Sequence, residues 1–236
     1  MLLETGAKKM FSITDYLGAA GKSIDVEVAH GRTAIDAAKS AAVEHVVFCS
    51  VIDAEQMPVE CHHIKSKIEI EKYIKSSGVN FSILRPCAFF ENLDDAQNWN
   101  PLKKGSLKFL VDQTCTWCGT YDIGRAAAAQ FKTPSKWLGQ SLDVCSYQGD
   151  LSQVAQALET VGGVPVSHGL AMPMCLRGLF VGQDLHQMCN YFEANGGVPR
   201  AQERIAAFKA VVPEALSAES WFRFHNKYAD GTRIVE

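Results

Sequence analysis

The chain has 236 residues, 47% of them hydrophobic and 21% charged, with a formal net charge of −3. That balance belongs to a folded globular chain of one α/β domain, or of one domain with a small annex. It leaves no basic footprint for direct nucleic-acid binding and no Lys/Arg block for an anionic membrane surface, and no apolar run approaches the roughly 18 residues of a membrane span.

The opening MLLETGAKKMFSITD places charges where a signal peptide needs its apolar core, so the chain reads as intracellular. Residues 11–14 form a short apolar strand. A helix is predicted over 25–42, with Asp25 placed to cap it and Val28, Ile35, Ala38 and Ala42 close to one face. HVVFCSV, residues 45–51, is a continuous apolar run of the kind buried in a parallel sheet. A helix over 62–77 is stopped by Gly78, and a strand over 79–84 is ended by Arg85-Pro86. Strand–helix–strand–helix–strand implies right-handed crossovers and a parallel sheet.

Further on, strands are predicted at 107–111, 140–146 and 164–168. Helices are predicted at 123–131, 151–161 (Asp150 at its N-cap position), 185–193, 201–211 and 218–225. Asp122 reads as a cap for the helix that follows it.

The stretch TDYLGAAGKS ends like a phosphate-binding loop, but G-x-x-x-x-G-K-[ST] requires a glycine where Tyr16 stands. Gly6, Gly18, Gly21 and Gly31 do not supply the G-x-G-x-x-G turn either. The eight cysteines form no framework, and Cys115 and Cys118 make a single C-x-x-C ahead of an extended-looking GTYD. A zinc site needs a second pair, and Cys61-His62-His63 has no partner ligands at a suitable spacing, so no metal site is expected. His63 and Lys67, four apart, project from one helix face, and Ile70 and Ile74 continue that stripe toward the core.

Several stretches together resemble the NmrA-like family of atypical short-chain dehydrogenases/reductases. They are FSITDYL, EVAHGRTAIDAAKSA, VEHVVFCSV, HHIKSKIEIEKYIKSSGVNFSILRPCAFFENL, YDIGRAAAAQF and PEALSAESWFRF, from about residue 10 to about residue 228. The likeness is greatest to the redox-sensor branch, where a His takes the place of the catalytic Tyr.

This resemblance implies an α/β fold with a partial Rossmann-type parallel sheet. FSIT matches the family's fourth strand, so the first three strands and the glycine-rich turn are expected to be missing. The expected domains are a core over 10–146 and a small α/β substrate-domain-like part over 147–236. The implied cofactor is NADP(H). Thr14, Asp15 and Tyr16 match cofactor-side positions, Lys67 the ribose-holding lysine, and Phe89, Phe90, Glu91 and Asn92 the segment closing over the nicotinamide end. His63 matches the proton donor, and Ser50 completes a vestigial catalytic trio with His63 and Lys67.

The function implied is that of a non-catalytic, NADP(H)-linked regulator or redox sensor, cytoplasmic or nuclear, with impaired cofactor binding. Two alternatives stand beside it. One is an NAD(P)H-dependent oxidoreductase whose N-terminal part lies upstream. The other is an interaction module whose unpaired FSIT edge takes a protein partner or forms a homodimer.

Overall fold

The computed structural model describes residues 6–95 and 100–235. The chain forms two compact units, one built from residues 1–86 and 124–144, the other from 87–123 and 145–236. The sequence-based boundary at 146 therefore lies next to the last crossing between units. Segment 87–123, read as part of the first domain, belongs instead with the C-terminal part, because its strands pair with residues 147–149 and 167–170.

The first unit opens with strand β1 (Lys9–Ile13), helix α1 (Ile24–Ser40), strand β2 (His45–Cys49), helix α2 (His62–Ser77) and strand β3 (Phe81–Pro86). With Ser141–Val144 these strands form a four-stranded parallel sheet, in the order β1, β2, β3, Ser141–Val144. All five residues of β2 are buried, as expected of an interior parallel strand covered on both faces.

Helix α1 is capped by Ser23, whose hydroxyl accepts from Val26 N, whereas Asp25 lies in the first turn, where its charge meets the positive helix end. The inward stripe is Glu27, Gly31, Ile35 and Ala38. Ala42 is exposed beyond the helix, in a left-handed turn at φ +52°. Gly31 is required where α1 meets α2, since a Cβ there would stand 2.7 Å from the Ile70 side chain. Ile35, Ala38, Val46, Phe48, Ile70 and Ile74 form the core on this side of the sheet. Helix α2 ends at Gly78, in the left-handed conformation at φ +81°.

Across the sheet, Gln130 from the helix Thr120–Lys132 accepts from Ser82 Oγ at 2.6 Å, and Ser82 Oγ meets His45 Nε2 at 2.9 Å. Burial, aided by nearby Lys9, lowers the His45 pKa and favours the neutral ring.

Among the described residues, the second unit holds two three-stranded sheets. Cys115–Cys118 runs between Ala88–Phe89 and Tyr147–Gly149, and Ser106–Phe109 between Leu102–Lys103 and Ser167–Leu170. Its core is aromatic, with Phe90, Trp117, Trp221, Phe222 and Tyr228 almost fully buried. Asp150 caps Leu151–Gly162 in a reciprocal box with Gln153.

GTYD is not extended: it opens the helix Thr120–Lys132. Asp122 sits in the first turn, and its buried carboxylate accepts from Gly119 N and Leu216 N. The helix Met174–Val181 escapes sequence reading because its polarity is inverted. Arg177 is buried, held by Glu193, Asn190 and Leu110 O, while Leu179 and Phe180 are exposed. Among the described residues no helix is long and apolar enough to cross a membrane.

Candidate functional site

Open parallel sheets present ligand sites beyond the carboxyl ends of their strands, and here those ends carry Thr14 after β1 and Ser50 after β2. The Lys67 ammonium donates to Thr14 O at 2.6 Å and to Thr14 Oγ1 at 2.7 Å, and it pairs with Glu27 Oε1 at 2.7 Å. Thr14 Oγ1 in turn donates to Glu27 Oε1 at 2.7 Å, and Ser66 Oγ donates to Glu27 Oε2. The Glu27 side chain is fully buried and that of Lys67 only 12% exposed. An ammonium has three N–H donors, so this cluster satisfies all of them. The same cation lies 6.0 Å from the centre of the Phe48 ring.

The loop after β1 is closed in a similar way. The Asp15 carboxylate accepts from Gly18 N at 2.9 Å and Ala19 N at 3.1 Å, and these amides lower its pKa. Gly18 fits because a Cβ there would stand 2.3 Å from Asp15 Oδ2. Amides that could have cradled an anion are thus turned onto the protein's own carboxylate. Ser23 caps α1 rather than facing outward.

The other candidates take separate places. His63 is half-buried in the first turn of α2, its ring centre 6.3 Å from that of the buried Tyr16. Ser50 is buried with its hydroxyl near the Glu71 carboxylate, outside hydrogen-bond geometry but close enough to favour the ionised form. Burial alone would push the Glu71 carboxyl up. Arg85, donating through Nε at 3.1 Å and Nη2 at 2.6 Å, and Lys75 at 3.3 Å outweigh it, and the net shift is downward. Of the predicted cofactor-side residues, the structure joins Thr14 to Lys67 and Tyr16 to His63.

Phe89, Phe90, Glu91 and Asn92 belong to the second unit. Phe90 is fully buried and stacks between Trp117 and Trp221, with ring centres at 5.8 and 5.6 Å. Glu91 Oε1 accepts from Thr120 N, Thr120 Oγ1 and Trp221 Nε1. Phe89 and Asn92 are half-buried.

Sequence reasoning missed Glu27 and Ser66. The available signal was a carboxylate on the inward stripe of α1, four residues before a glycine that faces α2. A charge at that position requires a buried cation, and Lys67 is the residue that supplies it.

A model of the NmrA-like family matches residues 3–222 of this chain. The Prestalk A differentiation protein A of Dictyostelium discoideum is 30% identical over 111 residues, covering 47% of this chain and 34% of that protein. The match thus spans about a third of that relative's length. Among solved structures, the NADPH-dependent quinone oxidoreductase QOR2 of Escherichia coli, complexed with NADPH, is similar with a TM-score of 0.68 at 17% identity. That alignment covers 96% of this chain and 80% of that one. NmrA, a negative transcriptional regulator solved in complex with NADP, gives a TM-score of 0.67 at 17% identity, covering 98% and 79%. At such identities these likenesses establish the shared Rossmann-type α/β fold.

Proposed function

The chain belongs to the NmrA-like family, and we propose that it is a non-catalytic, NADP(H)-linked regulatory protein of redox-sensor type with weak dinucleotide binding. The observation that carries this reading is the closed state of Lys67. In the short-chain reductase arrangement that lysine holds ribose hydroxyls, and here its three donors are taken by Thr14 and Glu27. The Asp15 carboxylate on Gly18 N and Ala19 N adds to it, because it both occupies the amides and repels a phosphate. Both features support a reading in which a ribose-pyrophosphate is held weakly. Histidine at 63 also cannot supply the phenolate chemistry of a tyrosine donor.

The test is a calorimetric titration of the purified 236-residue chain with NADPH. No saturable heat is expected at micromolar concentration, and a clear micromolar Kd would defeat the reading. The likeness to a quinone oxidoreductase favours a second reading, an NAD(P)H-dependent reductase. Quinone-dependent oxidation of NADPH by the wild-type chain, lost in Lys67→Ala, would select it.

A further inference from the structure

The buried cluster around Lys67 is asymmetric in charge. Glu27 lies on the inward stripe of α1 with its side chain fully buried. One turn further on, Gly31 lets α2 approach so closely that a Cβ there would stand 2.7 Å from Ile70. The carboxylate is therefore confined between the helices. Its Oε1 accepts from the Thr14 hydroxyl and pairs with the Lys67 ammonium, each at 2.7 Å, and Oε2 accepts from the Ser66 hydroxyl. If Lys67 swings away, a buried carboxylate is left with hydroxyls alone, which solvate a charge without neutralising it. If Glu27 carries no charge, Lys67 keeps only Thr14 O and Thr14 Oγ1, and its side chain, 12% exposed, already reaches the surface. The charge of Glu27, rather than its shape, fixes the ammonium.

We propose that Glu27 is an autoinhibitory residue, whose carboxylate holds Lys67 inward and thereby sets the affinity of this site for a dinucleotide. This rests on the proposed function, in which Lys67 is the ribose-holding lysine, and names the residue that regulates it. The Glu27–Lys67 pair is neutral as it stands, and the Asp15 carboxylate, close enough to feel the Lys67 charge, is negative. From these three groups a phosphate-bearing ligand meets a net negative charge. Neutralising Glu27 releases the ammonium to donate to a ribose hydroxyl and to attract the phosphates. Glutamine makes that change at constant shape. Its amide oxygen keeps the bond from Thr14 Oγ1, and its NH2 donates to Ser66 Oγ, whose own proton turns to His63 O, 3.2 Å away. No buried polar group of the cluster is orphaned by the exchange.

Calorimetric titration with NADPH of the purified wild-type chain and its variants is the test. Glu27→Gln is expected to bind NADPH at least about tenfold more tightly than the wild type. The gain acts through Lys67, so it should vanish in Glu27→Gln/Lys67→Met. Glu27→Met removes the same charge and should give the same gain, which separates charge from a change in local packing. Circular dichroism and urea melts establish that each variant is folded, and if one of the two single variants does not fold, the other carries the comparison. A folded, uncharged variant at position 27 that binds no better than the wild type, or a gain that persists without Lys67, would overturn the proposal and leave the proposed function standing. A micromolar Kd in the wild type would sink both.

Discussion

Replacing Lys67 with methionine removes the cation paired with the buried Glu27 carboxylate and leaves the apolar stem in place. At 2.7 Å and an effective dielectric constant of about 20, the gross attraction is roughly 6 kcal/mol. Desolvation offsets part of it, and breaking a buried pair from one side costs about 3–5 kcal/mol in practice. Glu27 keeps the hydroxyls of Thr14 and Ser66, so the loss should lie near 3 kcal/mol. With a urea slope of about 2 kcal/mol/M, the midpoint would fall by about 1.5 M.

Urea melts followed by circular dichroism measure this directly. A Glu27→Leu/Lys67→Met double variant should recover most of the loss, because an apolar pair of similar volume leaves no buried charge. A single variant losing less than about 1 kcal/mol would refute the reasoning, since a buried, uncompensated carboxylate cannot cost so little.

In the second unit, Asp94 is 3% exposed and accepts from Tyr228 OH at 2.8 Å, from Lys227 at 2.9 Å and from Arg233. Asp94→Ala should cost about 2 kcal/mol, because Tyr228 loses its acceptor while the two cations can turn to water; an unchanged urea melt would contradict this. Thiol reactivity should be confined to one position. Cys175 is exposed and the other seven cysteines are buried, with burial pushing the Cys115 thiol up to about 12 and that of Cys189 up to about 11. Brief treatment of the native chain with iodoacetamide should give a single adduct at Cys175 by peptide mass spectrometry, and a fast adduct at Cys115 would contradict the burial.

Much of the fold was legible locally. The apolar run HVVFC, the helix bounds at His62 and Ser77 with Gly78 behind them, and the Asp150 cap depend on neighbours within a few residues. Two local readings failed. Asp25 looked like a cap until Ser23 took Val26 N, and GTYD looked extended although the Asp122 carboxylate meets Leu216 N, 94 positions away. The inverted helix Met174–Val181 was illegible because an inward arginine reads as an outward one until Glu193 is placed beside it.

The candidate site divides in the same manner. Spacing put His63 and Lys67 on one helix face, and the resemblance named Thr14 and Tyr16 beside them. Their partners lie across 53 residues for Lys67 and Thr14, and across 39 for Ser66 and Glu27. The amino-acid sequence alone determined the alternation of helix and strand, the caps and the family, since these follow from short-range periodicity and motif order. Only the tertiary structure decided that Lys67 is satisfied from within and that Arg177 turns inward to Glu193. Both depend on which distant groups the folded chain brings within hydrogen-bond reach.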